Sequence, residues 1–185
     1  MKIRMPKNIW VKRFLWLLAL GVSLGLSPTP RHYFRLLKSV PKEWRKLERE
    51  HIYRLSRSLK KRGFIEHKQV SKNEVRIFIT PRGREYLKKL DFSELELPVQ
   101  GRWDGKWRLI LFDIPEIKRR SRDALRRKLK ELGCYELQKS VFLWPYDCKK
   151  EIEFVIHFFN LKSFVIYAEA SLDNDYKIKR AFHIV

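Results

Sequence analysis

Between residues 47 and 83 a basic helical pattern, a stop signal and a two-strand pattern follow one another without interruption, an order that few folds accommodate. Ile52, Leu55 and Leu59 recur at helical spacing and define an apolar stripe, while Arg49, Tyr53, Arg57 and Lys60 occupy another face. One face asks for a core; the other meets water or phosphate. Gly63 suits the left-handed residue that ends a helix, and Lys60-Lys61-Arg62 puts positive charge at the negative end of the helix dipole. The spacing predicts a helix that stops near Arg62. Residues 64–70 and 74–80 then flank Ser71-Lys72-Asn73, and Val75, Ile77 and Ile79 alternate along the second run, which predicts a hairpin with a polar, basic tip. Thr80 and Pro81 supply an N-cap and a first helical position for residues 82–90, where Tyr86, Leu87 and Leu90 make an apolar side.

Basic helix, hairpin and following helix in this order are the sequence pattern of a winged helix-turn-helix. Residues 1–90 hold 24 Lys and Arg against 6 Asp and Glu, a net +18 of the chain's +21. A field of that sign attracts polyanions, and each phosphate contact releases counterions. Double-stranded DNA is therefore the expected partner, contacted from the helix by Arg49, Tyr53, Arg54 and Arg57, with Lys60 and Lys61 on phosphate. Lys72, Asn73 and Arg76 would act from the wing, and Arg82 from the start of the next helix. A solvated basic face is the blander reading of the helix alone, since Lys and Arg are good helix formers. The concentration of charge in this half weighs against it.

Residues 14–26 form an apolar run behind Lys2, Arg4, Lys7, Lys12 and Arg13, a pattern shared with signal peptides and membrane anchors. The run is short of the roughly 20 residues that a span needs, and no small-x-small cleavage site follows. The expectation is a buried first helix on which the basic helix packs, with a membrane anchor through residues 14–26 as the alternative. Residues 31–46, with Tyr33, Leu36, Leu37, Val40 and Trp44 as apolar points, supply further helical material.

The rest of the chain has a different rhythm. Residues 91–106 contain Pro98, Gly101 and Gly105 and little periodicity, so they read as a linker between a domain at 1–90 and another at 107–185. Residues 107–114 are strand-like and stop at Pro115, and residues 116–132 form a charged helix with Ile117, Ala124, Leu125, Leu129 and Leu132 on its packing side. Strands at 134–137 and 140–144, a helix at 147–160, a strand at 163–168 and a last strand at 176–185 follow. The fold class is α+β: a winged helix-turn-helix and then a ferredoxin-like (βαββαβ) domain with an extra C-terminal strand. Cys134 and Cys148 lack metal-ligand or CxxC spacing and read as ordinary thiols of a reducing, cytoplasmic compartment. The five histidines are scattered, and neither a Ser-His-Asp context nor a phosphate-cradling glycine loop occurs.

Phe112-Asp113-Ile114-Pro115, the basic helix after it and Gln138-Lys139-Ser140-Val141-Phe142 resemble the small CRISPR-associated endonuclease of spacer acquisition. A winged helix in front of such a domain, with Trp103-Asp104-Gly105-Lys106-Trp107-Arg108 leading into the first strand, resembles the phenylacetic-acid catabolism repressors, the PaaX-like family. The resemblance spans roughly residues 14–185 and implies a dimeric transcriptional repressor. Those repressors continue into a further C-terminal domain that this sequence lacks, so control by an acyl-coenzyme A ligand is not carried over.

In the endonucleases the matching aspartate sits at the dimer seam, which implies that Asp113 could hold Mg²⁺ or Mn²⁺ and support phosphodiester hydrolysis. The other reading of Asp113 is a turn or cap acceptor ahead of the helix after Pro115. One carboxylate per subunit is thin catalytic equipment, so the regulator, which needs no cofactor, is expected over the metal-dependent endonuclease. Arg119, Arg120, Arg122, Arg126 and Arg127 are open to two readings, a phosphate track or a solvated face. The terminal strand is expected to pair edges with a second copy and make the homodimer.

Overall fold

The computed structural model describes residues 7–19, 24–26, 49–71, 74–99 and 101–184. The chain divides into two compact units, Met1–Ser93 and Glu94–Val185. Both mix helices with an antiparallel sheet.

In the first unit, helix α1 (Lys7–Ala19) and strand β1 (Leu24–Leu26) precede helix α2 (Arg49–Lys61), strands β2 (Ile65–Ser71) and β3 (Glu74–Ile79), and helix α3 (Pro81–Ser93). The sheet order is β1-β3-β2, with Gly25 and Lys68 opposite Arg76 on the two sides of β3. The alternation along β3 works as expected: Ile77 and Ile79 are buried, and Arg76 and Phe78 face out. They meet Phe14, Leu15 and Leu18 of α1, Leu59 of α2 and Leu87 of α3 in one core. Lys12 and the Trp16 indole both reach Asp91 at 3.1 Å, which ties α1 to the end of α3.

The apolar run at residues 14–26 does not make one helix. Phe14 to Ala19 finish α1, whereas Leu24–Leu26 are a strand on the edge of β3. Gly25 and β-pairing to an apolar neighbour explain the change, since a strand at this edge covers backbone groups of β3 that a longer helix would leave unpaired. Among the described residues no helix is long and apolar enough to cross a membrane. Residues 31–46, expected as helical, lie outside the described residues.

Helix α2 ends as its sequence predicts. Gly63 has φ +71°, and the amides of Gly63 and Phe64 donate back to the carbonyls of Lys60 and Leu59 at 2.9 and 3.0 Å. Thr80 caps α3: its Oγ1 accepts the Gly83 amide at 3.0 Å and donates to the Gly63 carbonyl at 2.7 Å, linking the two helix ends. At Gly83 an added Cβ would lie 2.0 Å from the Phe64 carbonyl oxygen, so only glycine lets α3 approach that close.

The second unit runs strand β4 (Trp107–Phe112), a 3₁₀ turn (Glu116–Lys118), helix α4 (Arg119–Glu131), strands β5 (Tyr135–Gln138) and β6 (Val141–Trp144), helix α5 (Lys149–Phe158), a second 3₁₀ turn (Lys162–Phe164), strand β7 (Val165–Ala170) and helix α6 (Tyr176–Ala181). The sheet order is β5-β6-β4-β7, antiparallel throughout. Central β4 is buried on both faces through Trp107, Ile110 and Phe112. Arg108, inside the same strand, is buried too. Its guanidinium is held by both carboxylate oxygens of Asp104 at 2.7 Å and by the carbonyls of Lys106 and Pro145. That pairing holds the Asp104 carboxyl well below its ordinary range, at about 2, chiefly through the Arg108 hydrogen bond. Asp104 thus belongs to the architecture of this unit, as do Leu97, which is buried, and Pro98, whose carbonyl accepts the Trp144 indole at 3.1 Å. These residues fall in the stretch expected as a linker, and residues 91–93 are the last of α3.

The expected final strand is a helix. Tyr176, Ile178, Phe182 and Ile184 alternate like a strand, yet Ile178 and Phe182 are also four apart, and in α6 both reach the same apolar cluster around Trp107 and Leu143. Asp175 favours the helical answer: it pairs with Lys179 at 2.9 Å, one turn on, and accepts the Trp107 indole at 2.9 Å. Among the described residues 176–184 there is no strand to pair with a second copy.

Candidate nucleic-acid interface

The basic face of α2 follows from which of its residues the core takes. Leu59 and Ser56 are buried and Leu55 partly so, which turns Arg54, Arg57, Lys60 and Lys61 outward. All four are exposed, and none has an ion-pair partner among the described residues. Four cations held within three turns without a counter-charge repel one another, and an anion laid along them relieves that cost. Arg49 and Tyr53 belong to α2 by backbone, while their side chains, and Lys72 and Asn73, lie outside the described residues.

The sheet adds a second basic element. Arg76 on β3 is exposed and stands directly opposite Lys68 of β2, so two like charges share one face of the hairpin. Lys68 is compensated by Glu66 at 3.4 Å and by the face of Phe78. Arg82 sits differently from the expectation of a free contact at a helix start: its guanidinium lies over the Phe64 ring at 5.7 Å. Arg62, which was not among the expected DNA contacts, lies over the same ring at 4.6 Å, and Phe64 itself stacks on Tyr86 at 4.3 Å. Two arginines therefore converge at the end of α2, anchored by their planes with charge still exposed. The signal for this was the Arg62, Phe64, Arg82, Tyr86 set, which no helical or strand period connects.

Ser56 is the other residue the pattern concealed. It is 1% exposed and its Oγ lies 2.9 Å from Nε2 of His67 on β2, a buried polar contact joining α2 to the hairpin. Burial, with the nearby Lys60 charge second, pushes the His67 pKa below its usual value.

In the second unit Asp113 follows the last residue of β4 and is exposed. Its amide donates to the Phe164 carbonyl at 3.0 Å, and its carboxylate caps nothing, so the cap reading fails. It lines an open cleft of about 610 Å³ with Phe112, Pro115, Ser140, Ser163, Phe164 and Ile166. The wall is fixed by α4: Arg122 donates to the Ile114 carbonyl at 3.2 Å and pairs with Glu116 at 2.8 Å, and Arg126 donates to the Lys139 carbonyl at 2.7 Å while lying over Phe112. Among the described residues no group of three His, Cys, Asp or Glu is placed to hold a metal. Hard divalent cations ask for about six oxygens. One carboxylate and two serines do not complete that set within one chain. The two cysteines are buried, with burial raising both thiols, Cys148 to about 12, so neither is poised as a nucleophile.

An α+β chain with a basic helix beside a three-stranded sheet, and a second unit whose four-stranded sheet ends in a carboxylate-lined cleft, narrows the class to which comparison is useful. Residues 100–181, a little under half of the chain, match the family model described as the PaaX protein central Cas2-like domain. The match supports a PaaX-like family and falls on the second unit. No curated protein matches the chain.

Proposed function

We propose that this chain is a sequence-specific, double-stranded-DNA-binding transcriptional regulator, a repressor acting as a homodimer in the cytoplasm. The reading takes the first unit as a winged helix-turn-helix and the second as a ferredoxin-like dimerisation domain. The order β1-β3-β2 with α2 ahead of the hairpin supports the first, and the order β5-β6-β4-β7, the second, third, first and fourth strands of that unit, supports the other. The observation that carries the function is the outward row Arg54, Arg57, Lys60 and Lys61, with no ion-pair partner among the described residues. Arg54 and Arg57 read base edges in the major groove and the lysines hold phosphate, with Arg49 and Tyr53 at the helix start. Lys72, Asn73 and Arg76 belong to the wing. The match of residues 100–181 to the central domain of a PaaX protein is in keeping with a regulator.

Arg57→Ala tests the reading by its effect on cognate against random duplex. A loss of about 1–3 kcal/mol on the cognate site, with a smaller loss on random sequence, is expected. Equal losses would reduce Arg57 to a phosphate contact.

A second reading keeps one observation in its favour: the Asp113 carboxylate is exposed in a cleft and has no hydrogen-bond or ion-pair partner among the described residues. Paired with its copy across a two-fold axis, it would hold Mg²⁺ or Mn²⁺ for phosphodiester hydrolysis. Metal-dependent cleavage of DNA that disappears in Asp113→Ala would establish the nuclease; intact DNA with wild type leaves the regulator.

A further inference from the structure

The second unit is nearly neutral except along one helix. Residues 94–185 carry 18 Lys and Arg against 14 Asp and Glu, and α4 by itself carries seven against two, so the remainder of this unit is slightly acidic. Charge this localised is a surface feature and not a property of the whole unit. The arrangement on the helix is equally uneven. Asp123 is shared by Arg119 and Arg126, at 3.7 and 3.5 Å, and Lys130 pairs with Glu136 at 2.6 Å. Arg120 and Arg127 are exposed and have no side-chain partner among the described residues. With Asp123, Arg126 and Lys130 they line an open groove of about 580 Å³.

Spacing and rigidity give this groove a preferred occupant. Arg120 and Arg127 are seven residues apart, nearly two full turns, so they lie on one line of the helix about 10 Å apart. Duplex DNA carries a phosphate about every 3.4 Å of axis on each strand, so two guanidinium groups held about 10 Å apart each meet a different phosphate of one backbone. The line cannot roll away from its face, because Leu125 and Leu129 are fully buried on the other side. We propose that this groove on α4 is a second nucleic-acid contact, which takes the phosphodiester backbone of double-stranded DNA without reading its bases. The proposal rests on the DNA-binding function proposed above and adds a site outside the first unit. A polyanion of regular charge spacing fits two arginines held two turns apart better than a compact anion does, since Asp123 puts a carboxylate among the lining residues.

The test is the salt dependence of binding of the full chain to a random-sequence duplex, for wild type and the double variant Arg120→Ala/Arg127→Ala. Each lost phosphate contact lowers the slope of log K against log salt by about 0.9, so the double variant should lose about 1.8. Between about 50 and about 200 mM salt, wild type should therefore weaken about tenfold more than the variant. Arg120→Lys/Arg127→Lys keeps the charge and should keep the slope; an unfolding curve unchanged in both variants excludes a folding defect. A wild-type slope in the alanine variant overturns the second contact and leaves the groove to an acidic protein surface or to solvent. Wild type that binds no duplex at any salt overturns the proposed function and this site together, whereas the preceding outcome overturns this site alone.

Discussion

Helices α2 and α4 are alike in length and in charge, and the structure uses that charge in opposite ways. Both have thirteen residues, bury leucines on one side and carry a strongly basic other side. On α4 most of the cations are spent on the fold: Arg119, Arg122, Arg126, Lys128 and Lys130 meet Glu116, Asp123, Glu131 or Glu136, and two of them also hold loop carbonyls. On α2, Arg54, Arg57, Lys60 and Lys61 face out and have no ion-pair partner among the described residues. A run of Lys and Arg in a sequence is therefore two different things, and the nearby carboxylates decide which. Glu50 is the one acid in α2, at its start, where the helix dipole favours it.

If the comparison is sound, the buried sides should behave alike. Leu59→Ala and Leu129→Ala each remove a fully buried leucine, and each should cost about 2–5 kcal/mol in denaturant unfolding. A loss confined to one of them would break the likeness. The outward sides should then part company. Neutralising Arg54, Arg57, Lys60 and Lys61 to Gln should leave unfolding within about 0.5 kcal/mol of wild type. The same change should weaken duplex binding on the order of a hundredfold at moderate salt, read by titration. Arg122→Ala on α4 should do the reverse, costing about 1 kcal/mol of stability through the Ile114 carbonyl and Glu116 while leaving DNA affinity nearly intact.

The smallest effect distinguishes the two units by acid. His67 is held neutral in the folded chain, so the unfolded chain binds its proton first, and the first unit should lose stability as pH falls below about 6.5. His67→Gln should flatten that slope in melting experiments between pH 7 and pH 5. Asp104 has the opposite character: its depressed pKa contributes stability present above its ordinary value of 3.8 and lost as pH falls through about 2. The second unit's acid response should accordingly come later. A His67→Gln protein as acid-sensitive as wild type near pH 6 would remove the His67 contribution.

Much of the first unit could be read from local rules because its signals are local. Gly63 stops α2, Thr80 caps α3 and the Val75, Ile77, Ile79 alternation orients β3, each through its own few neighbours. Ser56 fell outside those rules: with Ile52, Leu55 and Leu59 it completes a stripe at i, i+3, i+4 and i+7, but a serine there looks like a flaw in the stripe until His67 is seen across from it. Leu24 to Leu26 read as more helix since apolar residues serve both periods, and only the edge of β3 selects the strand. The same ambiguity turned α6 into a strand, and there Trp107 and Asp175 decide. The site residues divide likewise. Which α2 cations face out follows from the buried stripe, but the stacking of Arg62 and Arg82 on Phe64, and the pairing of the α4 arginines, depend on residues far along the chain. The Asp113 loop was legible as a strand end; its cleft needed Ser140 and Phe164, which the sheet order brings beside it.

The central claim is that Arg54 and Arg57 of α2 read a sequence rather than merely hold phosphate. Selection of bound duplexes from a random DNA pool by the full chain tests it most directly. An enriched palindrome with half-sites about one helical turn apart, lost with Arg57→Ala, is the predicted result. A pool that binds yet stays random after repeated selection would contradict it.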